Sequence, residues 1–292
     1  MTVLRRAAVR RAPPRRATVV VASLTLLVPA LAACSSDDRA ASSPTSSTPT
    51  DELAATRERL AGRYAHYDVV AYEGDAMKTQ IISYGFSDLT QVGGRLVERD
   101  SFCFSEHRSD QPISVTFSDA ATRAITPVPV EVELTVTDDR ARIIRPATPT
   151  GIGVALANPA TDPLPTDPAD PRIVDADGDG HPGVTASISA GGGALTGDLY
   201  LARREIFAYD LAEQADGSLR GVVRDGSEQL VIDTTNEVFR TPAQWIQDPD
   251  LSRSPIVLVP VEGDWDCERL RRERPTLLPP VPPIEGLPPD GG

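Results

Sequence analysis

The segment Asp175-Ala176-Asp177-Gly178-Asp179-Gly180-His181-Pro182-Gly183-Val184 is the stretch whose residue types and spacing suit chemistry best. Carboxylates at alternate positions can converge on one hard cation of the Ca2+ type, which takes about six to eight oxygen ligands. Intervening glycines let the backbone turn tightly around it. The ligand candidates are Asp175, Asp177 and Asp179. The same residues also read as a plain Asp-Gly turn, in which the acids bind their own backbone.

This run resembles the first half of an EF-hand loop and the calcium loops of dockerin and thrombospondin-type repeats. The resemblance implies side-chain ligands at Asp175, Asp177 and Asp179, a turn at Gly180, and a main-chain carbonyl ligand at His181. It breaks at Ala186, which stands where the pattern has a bidentate Glu, and the flanks read as strand and loop rather than paired helices. The expectation is a structural Ca2+ site rather than a switch, with Asp167 and Asp170 as candidates for the missing ligand. The DADGDGHPGVT stretch also looks like a segment in uncharacterised β-rich bacterial lipoproteins, a resemblance that implies no activity.

No G-x-S-x-G, H-E-x-x-H, G-x-x-x-x-G-K or C-x-x-C occurs, so the common hydrolase, metalloprotease, nucleotide and redox signatures are absent. Of the histidines, His66 lies among strand-like residues and His107 in the turn FSEHRSD, and both read as surface or packed. Trp245 and Trp265 read as packing anchors. Paired carboxylates that hydrolyse a glycan are the enzymatic alternative, because their spacing in space is invisible in a sequence.

The amino terminus says where the chain goes. Residues 1–16 are basic, residues 17–30 are almost purely apolar, and Leu31-Ala32-Ala33-Cys34 follows. That is the layout of a secretory signal. An apolar run of about 14 residues spans only about 21 Å as a helix, short of a bilayer core of about 30 Å. Leu-Ala-Ala-Cys resembles the lipobox of bacterial lipoproteins, which implies a diacylglyceryl thioether and N-acylation on Cys34 after removal of residues 1–33. Two or three acyl chains on one residue anchor stably. The expected location is a cell membrane or outer membrane, lipid-anchored on its extracytoplasmic face.

With Cys34 carrying lipid, Cys103 and Cys267 remain as an even pair in an oxidising compartment, and a disulfide between them is expected. The formal charge is -13, and the six arginines before residue 17 are expected to be lost with no acid, leaving 23 basic and 42 acidic side chains. Such a field repels phosphate backbones and anionic headgroups, so nucleic acid is not an expected partner and membrane attachment falls to the lipid.

Residues 34–50, rich in Ser, Thr and Pro, read as a lipidated tether. A short helix is expected over 51–64, with Leu53, Leu60 and Tyr64 on one side. The pattern then turns to period two, in 77–85, 95–104, 129–137, 198–211, 218–226, 228–235 and 255–262. Val130, Val132, Leu134 and Val136 alternate with Glu131, Glu133, Thr135 and Thr137, as in a strand with one dry face. Residues 265–274 read as a terminal helix, and 275–292, with seven prolines, as an extended disordered tail.

The expected fold is mainly β, an antiparallel barrel or sandwich over 51–274 with a short helix at each end. Gly62-Arg63-Tyr64 resembles the Gly-x-aromatic entry of lipocalin-like barrels, which implies an interior for apolar ligands, while Tyr64 also reads as a plain plug. The functional expectation is a non-enzymatic binding or envelope-structural module. Its partners are the membrane and an apolar ligand, a glycan or an envelope protein, and the alternative is a glycan-directed envelope hydrolase.

Overall fold

The computed structural model describes residues 49–74, 77–240 and 246–284. The expected signal peptide, Cys34, nearly all of the tether, Trp245 and the last eight residues lie outside the described residues. Among those described, helix α1 (Pro49–Leu60) precedes twelve strands, interrupted by α2 (Asp119–Arg123) and followed by α3 (Cys267–Leu277).

The strands are β1 (Gly62–Gly74), β2 (Met77–Val92), β3 (Arg95–Ser109), β4 (Ile113–Phe117), β5 (Val130–Thr137) and β6 (Arg140–Ile152). After a long connection come β7 (Val184–Ala190), β8 (Leu195–Glu213), β9 (Leu219–Asp225), β10 (Glu228–Thr234), β11 (Ile246–Gln247) and β12 (Pro255–Val261).

Eight of these strands close into a barrel. Antiparallel pairing runs from β1 through β2, β3, β5, β6, β8, β9 and β12 and returns to β1, so neighbours around the wall follow chain order. Closure leaves these strands without a free edge, which decides between the barrel and sandwich expected from sequence. The nineteen-residue β8 serves two sheets. Its later half pairs with β6 and β9 in the barrel wall, and its earlier half with β7 and β10 outside it. β4 adds to β7, so a second, smaller sheet rises from one end of the barrel.

The other end is plugged. Leu60 at the end of α1 packs with Tyr64, Leu89, Leu96, Val132, Ile143, Leu211 and Leu258 as an apolar layer inside the barrel. The Tyr64 hydroxyl donates to the Leu60 carbonyl at 3.0 Å, and Arg59 pairs with Glu213 at the end of β8. Tyr64 therefore lies on β1 rather than on the expected helix, which stops at Leu60 before the helix-breaking Gly62.

Several strands match the expected ranges, including β5, whose Val130, Val132, Leu134 and Val136 are less exposed than the acids and threonines between them. Two corrections follow from packing. The proline-rich segment after α3 is not a free tail as far as it is described, because Leu278 and Ile284 are buried and the Gln80 side-chain amide donates to the Pro282 carbonyl at 3.2 Å. His107 sits on β3 rather than in a turn, because β3 continues to Ser109 in register with β2.

The outer face of β1, β2 and β3 forms a second core under α3, with Tyr67, Ile82, Phe86 and Phe104 against Leu270 and Leu278. The disulfide Cys103–Cys267 ties β3 to the start of α3. A register shift between Tyr84 and Gly85 leaves Cys103 as an extra residue, so that Cys103 and Phe104 both join the outer core. Gly85 is required opposite this bulge, since a Cβ there would come within 2.0 Å of the Ser101 carbonyl oxygen.

Candidate functional site

Beyond the apolar layer the barrel interior becomes polar. Along β1 the inward positions run Tyr64, His66, Asp68, Val70 and Tyr72, and on β3 Leu96 is followed by Glu98, Asp100 and Phe102. β6 contributes Arg145, placed just before a bulge at Pro146 and Ala147, where a proline is tolerated in a strand. β8 adds Arg203, Glu205 and Tyr209.

These groups pair with one another inside the barrel. The Ser87 hydroxyl donates to Asp100 at 2.6 Å and lies 3.1 Å from Nδ1 of His66, which assigns the imidazole proton to Nδ1. Arg145 reaches Asp100 at 3.4 Å and Glu98 at 3.8 Å, donates to the Phe207 carbonyl at 3.2 Å, and lies over the Tyr209 ring. Arg203 meets Glu205 at 3.5 Å, and the Tyr72 hydroxyl donates to Asp225 at 2.6 Å.

Burial sets their protonation. It pushes the Glu98 carboxyl up to about 8, with Asp100 beside it adding to the effect. Asp68 is raised well above the carboxylate range by burial, then by Glu205 and Asp100, and Glu205 is raised by burial. His66 is lowered to about 4 by burial, and so is His107. The imidazoles are neutral at neutral pH, and this layer holds more acid than base.

Three cavities follow in series toward the open end. The innermost, about 20 Å3, is lined by His66, Asp68, Asp100, Arg145 and Glu205, with Ile125 and Pro127 from the segment after α2. The next, about 50 Å3, shares Glu205, Phe207 and Ile125 with it. The outermost, about 340 Å3, shares Tyr72, Ile81, Phe117 and Arg203 with the middle one and lies between the barrel mouth and the second sheet. Val115, Ile188, Leu199 and Leu201 make its apolar wall, and Thr79, His107, Asp225 and Gln229 are among the polar groups facing it.

The acidic loop is elsewhere, between β6 and β7. Asp175, Asp177 and Asp179 are brought together, each offering a carboxylate oxygen within 4.8 Å of the others. Asp175 accepts the backbone N–H groups of Gly178, Asp179 and Gly180, Asp177 accepts that of Thr185, and Asp179 accepts that of His181. The His181 ring stacks on Tyr200 with centroids 4.5 Å apart. Asp170 is held by Arg172 at 2.7 Å, and Asp167 accepts the Ala169 N–H. Ala186 faces the apolar cluster beneath the second sheet. One oxygen of Asp177, Oδ1, is buried without a hydrogen-bond partner, the kind of atom a bound cation would satisfy.

His66 is packed, as its strand-like setting suggests, and Trp265 is a packing residue whose indole N–H donates to the Glu262 carbonyl at 3.1 Å beneath the Arg269 guanidinium. The interior acids went unread in the sequence because alternation permits either face of RLVERDSF to point inward. The available signal was that Glu98 and Asp100 share their parity with Leu96 and Phe102. No protein-family model, curated protein or solved structure matches this chain.

Proposed function

We propose that the protein is a lipid-anchored, extracytoplasmic binding module that takes a small amphiphilic ligand at the open end of its barrel. The observation that carries this reading is the cavity of about 340 Å3, apolar on one wall and polar on the other. Its size lies within the range of small-molecule sites, about 300–1,000 Å3. The carboxylates deeper in the barrel line chambers of only about 20 and 50 Å3, far below the about 300 Å3 at which small-molecule sites begin, which leaves no room for a sugar ring beside them.

The neutral fluorescent amine N-phenyl-1-naphthylamine tests the cavity directly. It should bind the full chain saturably, and Ile188→Trp, which fills the apolar wall from a half-buried position, should weaken it at least tenfold. Absence of saturable fluorescence enhancement in the unmodified protein would sink the reading.

The lipid anchor rests on the sequence around Cys34. Cys34→Ala should move the protein from the membrane to the soluble fraction with its melting temperature unchanged. The acidic loop is proposed as a structural Ca2+ site held by Asp175, Asp177 and Asp179 with the His181 carbonyl, supported by the convergence of the three carboxylates and the orphaned Asp177 Oδ1. Bound there, the ion would clamp the loop at the base of β7 and supply no reaction chemistry.

A further inference from the structure

We infer that the ligand of the open cavity is a cation, specifically a protonated aliphatic amine whose ammonium group enters the middle chamber at Glu205. This inference rests on the binding reading above and names the ligand class.

The chambers adjoin at Glu205. It lines both the innermost and the middle cavity, and the middle and outer cavities share Tyr72 and Arg203 in their walls. The Glu205 side chain is 10% exposed, and only one of its oxygens faces Arg203. The other, Oε2, has no hydrogen-bond partner. Asp68 repeats the pattern from β1, with a side chain 6% exposed and an unpartnered Oδ2, and it lines the innermost chamber. An unpartnered buried carboxylate oxygen carries a desolvation cost, which a donor removes.

Charge selects the donor. Among the described residues, five acids, Asp68, Glu98, Asp100, Glu205 and Asp225, stand beside Arg145 and Arg203 along this row, and a cation bound there would draw Asp68, Glu98 and Glu205 back to the carboxylate from the protonated form that burial favours. A water molecule would supply hydrogen bonds but no charge, and an anion would add to the excess. A primary ammonium brings a positive charge and three donors on a compact head, and the middle chamber of about 50 Å3 suits such a head. A quaternary ammonium lacks the N–H groups that the orphaned oxygens need. The aliphatic chain would lie along Phe117, Ile188 and Leu199 in the outer cavity.

The test is a series of equal chain length. Hexylammonium, 1-hexanol and hexanoate are titrated calorimetrically into the full chain, alongside the N-phenyl-1-naphthylamine titration. Hexylammonium should bind with one site and at least tenfold more tightly than the other two, and Glu205→Gln should cut its affinity at least tenfold, with the fold checked by circular dichroism. If hexanol binds as well as hexylammonium, or hexanoate binds better, while the naphthylamine still binds, the cation inference is overturned and the binding reading survives. Loss of all four signals overturns both. The three-ligand comparison decides the matter even if the Glu205→Gln chain does not fold.

Discussion

Arg145 on β6 reaches 3.4 Å from Asp100 on β3, a contact inside the barrel between two strands that flank β5. β5 pairs with β3 over Leu96–Glu98, two residues short of Asp100, and the guanidinium adds a side-chain link there. Both side chains are about 95% buried, which makes the pair costly to break from one side. Arg145→Met should lower unfolding stability by about 3–5 kcal/mol, measured by urea titration, because Asp100 loses its counter-charge and Glu98 its neighbouring guanidinium. Adding Glu98→Gln and Asp100→Asn to it should restore most of that loss, and a triple variant as weak as the single one would show that packing, not charge, dominates.

The pH dependence follows from the same layer. Glu98 has its folded pKa raised to about 8, so the protonated form is the one the fold favours. Its contribution is fully present below the unfolded pKa of about 4.3 and is lost as pH rises through about 8. His66 and His107, lowered to about 4, act oppositely and remove stability as pH falls from about 6.5 through about 4. The melting temperature should therefore decline on both sides of a mildly acidic optimum. In Glu98→Gln the alkaline limb between pH 6 and 9 should flatten. An unchanged alkaline slope would assign it to other groups.

Replacing Cys103 and Cys267 with serine opens a loop with a sequence separation of 164 residues. The expected loss is at most about 5 kcal/mol in the chain-entropy picture. The barrel strands pair independently of α3, so far-UV circular dichroism should keep its β signature at low temperature while the thermal midpoint falls.

Chelation of calcium should lower the melting temperature of the unmodified protein, and Asp177→Ala should abolish that response. A melt indifferent to chelator, together with no heat on titrating calcium, would reduce the loop to a hydrogen-bonded turn.

The β5–β6 hairpin turns on Asp138 and Asp139, both with positive φ, at 52° and 61°. Left-handed backbone costs a non-glycine residue about 1–2 kcal/mol, partly offset for Asp by local hydrogen bonding. Asp139→Gly should stabilise by about 1 kcal/mol, read from the urea midpoint. The neighbouring hairpin already uses Gly93 and Gly94 at such angles and marks the comparison.

Much of the wall was legible one strand at a time. In β5 each valine faces in and each glutamate out, because that strand borders apolar interior on one side and water on the other. β1 shows no period-two pattern since both of its faces are buried, one inside the barrel and one under α3, which erases the alternation. Closure was equally hidden, as it depends on β9 meeting β8 and β12 rather than on any local pattern. The disulfide was legible from the even pair of cysteines that remains once Cys34 is set aside, whereas the bulge that turns Cys103 outward was not. The docked prolines escaped because composition describes a segment in isolation, and Leu278 and Ile284 find their burial only against the barrel.

β8 bonds to β6, β7, β9 and β10, so a single stretch of backbone runs unbroken from the cavity wall at Leu199 to the plugged end at Glu213. The two sheets consequently share no cleavage plane and cannot swing apart like jaws. The width of the outer cavity is fixed by the ladder itself, and entry must come from rotation of side chains at the rim. Hydrogen exchange along β8 should report one cooperative opening for both sheets, with no separate, cheaper opening for the smaller one.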